Sequence, residues 1–196
     1  MPNALAALAI STAGCLRCSL ASTRTHVVFG AGDPNAELMF VGEAPGAEED
    51  RSGLPFVGRS GKLLDQLVGE ELGLARDQVY VANVVKCRPP DNRDPLASEI
   101  HTCRGYLDQQ IELVAPRVVV TLGRFAGQLL AESTIAITKL RGRAYAFGAS
   151  MLVPMFHPAY ALRAGAGPLC LMRSDFGLVR DLLAEPSPQS NQTRLS

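Results

Sequence analysis

Glu37-Leu38-Met39-Phe40-Val41-Gly42-Glu43-Ala44-Pro45-Gly46 reads as a short buried strand running into a glycine-bearing loop. Four consecutive apolar residues are too few for a helix and suit a strand covered on both faces. Three further runs share this character: Val79–Val85 (VYVANVV), Arg117–Leu122 (RVVVTL) and Met151–Phe156 (MLVPMF). Helical patterns separate them. Ser60 is placed to cap a helix over Lys62–Leu72, with Leu63, Leu64, Leu67 and Val68 on its inner face. Asp94-Pro95 looks like an N-cap and first helical residue, followed by Leu96, Ile100, Cys103, Leu107, Ile111 and Val114 at steps of three and four. Another helix follows Gly123 to about Ala131, and Asp175–Ala184 reads as the last. Alternating strands and helices predict a parallel sheet of four strands with helices on both faces. Ligands of such sheets bind beyond the carboxyl ends of the strands. That rule selects Gly42 onward, Asn83 to Lys86, and His157 onward.

The chain of 196 residues is long enough for one domain with a full core. Residues 1–184 are expected to form that domain, without internal repeats, and residues 185–196, rich in Ser, Pro, Gln and Asn, a disordered tail. Almost half the residues are apolar, yet no run is long enough to span a bilayer. Ala4–Ile10 ahead of Cys15 is faintly like a lipoprotein leader but lacks a basic start, so a short helix is the expectation. The cytoplasm is the expected compartment. Net charge is zero, which by itself does not mark a nucleic-acid binder. Its distribution is uneven: residues 1–50 are acidic, and basic groups recur at Arg59/Lys62, Lys86/Arg88/Arg93 and Lys139/Arg141/Arg143.

Cys15, Cys18, Cys87 and Cys103 form one close pair, Cys-Leu-Arg-Cys, and one wide pair, Cys87-x15-Cys103. Four thiolates can close a shell around a metal centre and staple the N-terminus to mid-chain. Two disulfides would need an oxidising compartment, and zinc would more often show a second C-x2-C. One tight pair and one wide pair resembles an irregular iron–sulfur ligand set. Cys170 falls outside the set and is expected to be a buried or partly buried thiol.

Three constellations carry chemistry. The loop Gly42–Asp50 and the following Gly53–Gly58 offer glycine amides, the carboxylates of Glu43 and Glu49, and the flat face of Phe56. Gly53-Leu-Pro-Phe-Val-Gly58-Arg59-Ser60 is a near miss to a phosphate loop, but Arg59 stands where lysine is needed and no strand directly precedes it. Asn83, near the end of its strand, has an amide donor and acceptor side by side, as suits reading a nucleobase edge. His157, at a strand end and followed by Pro158, is placed to donate or accept a proton.

The order GEAPGAEED, GLPFVGRSGKLLD, VYVANVVKCRPPDNRDP, VPMFHPAYALR, with the C-x2-C and C-x15-C pairs, resembles the family 4, iron–sulfur uracil-DNA glycosylases from about Cys15 to Arg163. The resemblance implies a three-layer α/β/α sandwich around a short, mainly parallel four-stranded sheet. It implies a monomeric, monofunctional hydrolase that flips deoxyuridine from single- or double-stranded DNA and cleaves its N-glycosidic bond in base excision repair. Cys15, Cys18, Cys87 and Cys103 would ligate a [4Fe-4S] cluster. Phe56 would stack on uracil, Asn83 would read its Watson–Crick edge, and the backbone of Gly42, Glu43 and Ala44 would help hold it. His157 would donate to the uracil O2, Glu43 would face the base, and Glu49 the sugar or water side or the space of a thymine methyl.

The chain departs from the family pattern at HPAYALR, where HPSYLLR is usual. Ala161 is too small to fill the gap left by a flipped base, which leaves Leu162 as the wedge and Arg163 as a phosphate contact. CRPPDNRDP is short and has no histidine before His101, so ordinary turnover is expected rather than a covalent product complex. Two alternatives compete: a non-catalytic iron–sulfur module that binds nucleic acid, and a glycosylase for other deaminated bases.

Overall fold

The computed structural model describes residues 2–186, and the expected tail lies outside them from residue 187 on. The strands are β1 (Ala31–Gly32), β2 (Leu38–Gly42), β3 (Tyr80–Asn83), β4 (Val118–Leu122), β5 (Tyr145–Phe147) and β6 (Ser150–Met155). The helices are α1 (Pro2–Ala13), α2 (Ala47–Ser52), α3 (Arg59–Leu72), α4 (Ala97–Val114), α5 (Arg124–Leu130), α6 (Ile137–Leu140), α7 (Pro158–Ala164) and α8 (Ala166–Ala184). Among the described residues one sheet forms, in the order β1-β3-β2-β4-β6-β5.

The central strands β3, β2, β4 and β6 pair in parallel. Every residue of β2, β3 and β4 is buried, as continuous apolar runs require when both faces are covered. Alternate side chains feed two cores. Leu38, Phe40, Val118, Val120 and Val153 pack with Leu64, Leu67, Phe176 and Val179 of α3 and α8. Met39, Val41, Val119 and Leu152 pack on the other face with Leu5, Leu107, Ala126 and Leu130 of α1, α4 and α5.

The expected sheet of four strands is corrected to six and to mixed. Two- and three-residue strands, β1 and β5, pair antiparallel at the two edges. Strands so brief carry no readable period. Short edges also limit pairing with other chains.

Helix starts need correcting as well. Gly58, not Ser60, caps α3. Leu96, not Asp94, caps α4, and the Glu99 carboxylate accepts the Leu96 amide at 2.8 Å. Asp94 is drawn away to Arg124, 3.0 Å distant. The last helix begins at Ala166 rather than Asp175, because Asp175 is buried within it and paired with Arg141. No described helix is long and apolar enough to cross a membrane.

Candidate active site

Parallel register sets Gly42 directly opposite Asn83, so the loops after β2 and β3 leave the same edge of the sheet. His157 follows β6 on that edge. A cavity of about 500 Å³ opens there, walled by Glu43, Ala44, Glu49, Phe56, Asn83, His157 and Arg163. The three chain segments selected by the strand-end rule therefore converge.

Gly42 lies under both the Asn83 amide and the Phe56 ring. A Cβ on Gly42 would stand 2.4 Å from Asn83 Oδ1 and 2.5 Å from Phe56 Cζ, so only glycine fits. Asn83 is 1 % exposed, and its Oδ1 has no hydrogen-bond partner. An orphaned amide oxygen in a cavity wall is a strong indication of a ligand, since unpaired buried polar groups are costly. The main-chain carbonyl of Asn83 is fixed by the buried Lys86 ammonium at 2.7 Å. Lys86 also donates to Gln110, whose amide reaches Phe29 O at 2.9 Å and the Tyr80 hydroxyl at 3.1 Å.

Phe56 is buried and adopts φ of 56°, a left-handed conformation costing a residue with a Cβ about 1–2 kcal/mol. Its ring stacks near His157, with centroids 5.8 Å apart and planes at 29°. His157 caps α7. The Ala159 amide donates to its Nδ1 at 3.1 Å, so in the neutral ring the proton sits on Nε2. Burial, with help from Arg163, pushes its pKa down to about 4, which keeps the ring neutral at ordinary pH.

Glu43 is half-buried in the cavity wall. Burial, and next the negative charge of Asp94, raise its pKa to about 7 against a partial offset from Arg124. Glu49 also lines the cavity, but its oxygens are engaged: Oε1 accepts the amides of Val57 and Gly58 at 3.0 and 2.9 Å, and Oε2 that of Gly46 at 3.1 Å. Leu162 and Arg163 are exposed on α7, whereas Ala161 is buried and faces the core. Position 161 is thus turned away from any partner whatever its size.

Sequence reasoning missed Asp94 and Arg124 as neighbours of this cavity, having assigned Asp94 to a helix cap, whereas Arg93 stood among the basic loop groups. Arg93 lines the wall and pairs with the buried Glu99 at 2.7 Å, which pulls the Glu99 pKa down to about 2. Glu99 accepts Ser19 as well, at 3.0 Å, which ties the loop before α4 to the residue after Cys18. The proline- and charge-rich composition of CRPPDNRDP was the available signal.

Cys15, Cys18, Cys87 and Cys103 line one small second cavity. All are free thiols, so the described chain contains no disulfide. The Lys86 amide points at Cys103 Sγ (3.3 Å) and the Arg24 guanidinium at Cys87 Sγ (3.5 Å). Among the described residues no three Cys, His, Asp or Glu side chains converge on one point as a lone metal ion would need. Four thiols lining one cavity fit a group that takes four thiolate ligands. Cys170 is exposed on α8, not buried as expected: the helix starts earlier than predicted and turns it outward.

A family model described as the uracil DNA glycosylase superfamily matches residues 29–176. The chain is 46% identical over 180 residues to the type-4 uracil-DNA glycosylase of Sulfurisphaera tokodaii, covering 88% of this chain and 81% of that one. It is 47% identical over 156 residues to the type-4 enzyme of Saccharolobus solfataricus, covering 76% and 72%. With the type-4 enzyme of Thermotoga maritima it shares 46% identity over 151 residues, 76% and 78% of the two chains. The convergent cavity, the four thiols and these likenesses lead to one assignment: the chain belongs to the type-4 uracil-DNA glycosylases of the uracil DNA glycosylase superfamily.

Proposed function

We propose that this chain excises uracil from DNA by hydrolysing its N-glycosidic bond. The observation that carries the reading is the unpartnered, buried Asn83 Oδ1 beside Phe56 and His157 in one cavity. A base inside a duplex cannot reach such a cavity, so the nucleotide must be flipped out. Leu162 would fill the space left behind, and Arg163 and Arg93 would hold phosphates.

Phe56 supplies a stacking face, and Asn83 pairs with one edge of uracil. Cytosine reverses donor and acceptor on that edge, which leaves the buried amide unsatisfied and makes rejection strong. As the glycosidic bond breaks, electrons move onto the base and its O2 becomes anionic. The Nε2–H of neutral His157 would donate to that oxygen and gain strength as charge develops, which favours the transition state over the substrate. Water must then add to the oxocarbenium-like sugar. Glu43, with a pKa near 7 and a free carboxyl group in the wall, suits the task of orienting and deprotonating it.

Cys15, Cys18, Cys87 and Cys103 would hold a [4Fe-4S] cluster, which supplies a structural cross-link and no part of the hydrolysis. The clip joins the N-terminal turn to the strand end that carries Asn83 and to α4. The test is release of uracil from single-stranded and duplex oligonucleotides by purified brown protein without added metal. Asn83→Ala and His157→Ala should abolish release while the colour persists. Persisting release in both variants would refute the assigned roles.

A further inference from the structure

We propose that Glu49 is a positioning residue that, with Arg76, clamps the turn carrying Phe56 from both sides and so sets the ring that receives the base. The inference rests on the reading of Phe56 as the stacking residue. Phe56 and Asn92 are the two non-glycine residues of the cavity wall with positive φ, 56° and 54°, and the aromatic Phe56, unlike an asparagine, has no side-chain amide suited to that conformation. Such a conformation persists only where the surroundings over-determine it.

They do so here. On the C-terminal side, the amides of Val57 and Gly58 both donate to Glu49 Oε1, at 3.0 and 2.9 Å. On the N-terminal side, Arg76 Nη2 donates to Pro55 O at 3.3 Å. Arg76 is itself set by Asp65, 3.4 Å away, and reaches Ala31 O at 3.5 Å. Beneath the turn, a Cβ on Gly61 would stand 1.7 Å from Phe56 O, so the chain is pressed closely onto α3.

The carboxylate of Glu49 occupies a nest made for it. A Cβ on Gly46 would lie 2.8 Å from Oε2, and one on Gly58 3.3 Å from Oε1. Glycines at both places leave room for the oxygens and let the amides approach. Three amides from two separate loops converge on one side chain, which therefore ties the Gly42–Gly46 loop to the Phe56 turn. A carboxylate accepting three main-chain bonds has little freedom to move with a reacting water. Its leverage on the reaction runs through the ring it places.

A double-mutant cycle tests this under single-turnover conditions with a uracil-containing single strand. Glu49→Gln replaces an acceptor with an NH2 group facing main-chain donors, and should lower excision about 100-fold. In a Phe56→Ala background the same substitution should cost less than about threefold, because residues acting as a unit are non-additive. Arg76→Met, on the other side of the clamp, should follow the same pattern with a loss of about tenfold and guards against a folding defect in Glu49→Gln. An equal loss in both backgrounds would show that Glu49 acts on water or sugar directly and overturn the proposal. Hydrogen exchange over residues 53–60 reads the clamp without any excision. Both single variants should speed exchange there, and unchanged exchange would also overturn it. Failure of wild-type protein to release uracil would instead count against the functional reading, with the exchange result still standing on its own.

Discussion

The Ala159 amide donates to Nδ1 of His157 at 3.1 Å. This one bond decides what the histidine is. An imidazolium could not accept there, so the fold holds the neutral ring with its proton on Nε2, and burial pushes the pKa down to about 4. His157 should therefore add no limb to the pH profile of excision between pH 5 and 9. The sign for stability follows: a depressed histidine leaves the unfolded chain binding more protons below the ordinary value near 6.5. Its contribution is complete above that value and is lost progressively as pH falls toward about 4. Thermal unfolding from pH 7 to pH 4 should show this fall, and His157→Gln should reduce it.

Glu43 behaves oppositely. Its pKa is raised, so its ionisation in the fold is disfavoured, first by burial and then by Asp94. Single-turnover excision should rise through about pH 7 and then level, and the limb should vanish in Glu43→Gln. The stability it contributes is present below its unfolded value and lost as pH rises through about 7. Glu43→Gln should therefore be more stabilising at pH 8 than at pH 5, even as activity falls. A profile unchanged in Glu43→Gln would remove it from the mechanism.

Gly42 allows Asn83 and Phe56 to share one surface. Gly42→Ala places a Cβ within 2.5 Å of both side chains and must displace one or both. A shift of about 1 Å in a catalytic constellation costs on the order of 100-fold in rate, so excision should fall by at least about that factor. The brown colour should remain, since Gly42 lies apart from the four thiols. Near-normal excision by Gly42→Ala would mean that the Asn83 amide does not read the base.

Much of this was legible from residues alone. The four parallel strands announced themselves as apolar runs, and β2, β3 and β6 lead into the cavity wall. The site residues Asn83, Phe56 and His157 converge because parallel strands deliver their carboxyl ends to one edge. The edge strands β1 and β5 were not legible, being too short to carry a period. Nor were the helix caps: Asp94 reads locally as a cap, but α4 starts after Leu96, whose amide the Glu99 carboxylate accepts, and Asp94 pairs with Arg124 instead. Glu49 accepts the Gly46 amide as a local helix cap, but the Val57 and Gly58 amides come from a separate turn, and no local pattern shows that they meet it. Cys170 was misplaced because the last helix begins at Ala166, straight after the break at Gly165, and not at Asp175.

Lys86 is 1 % exposed and supplies donors to both Asn83 O and Gln110, while its amide faces Cys103 Sγ. Lys86→Met leaves two buried acceptors unpaired, at about 1–3 kcal/mol each. The denaturant midpoint of the brown protein should fall accordingly, and excision should fall with it because Asn83 loses its anchor. Loss of stability without loss of excision would separate the network from the base-reading amide.

Removal of the proposed cluster should act as loss of a cross-link. Cys87→Ser should bleach the visible absorbance and lower the unfolding temperature, with excision declining as the fold loosens. Changing only the oxidation state of an intact cluster should leave excision unaltered. A rate that follows the redox state in folded protein would contradict a purely structural role.

The most direct measurement is uracil release from matched oligonucleotides carrying uracil, cytosine, hypoxanthine or a mismatched thymine at one position. An abasic site is expected at uracil in single and duplex strands and none at cytosine, with Asn83→Ala and His157→Ala inactive yet brown. Intact brown protein that leaves uracil in place, or that releases hypoxanthine in preference to it, would contradict the account.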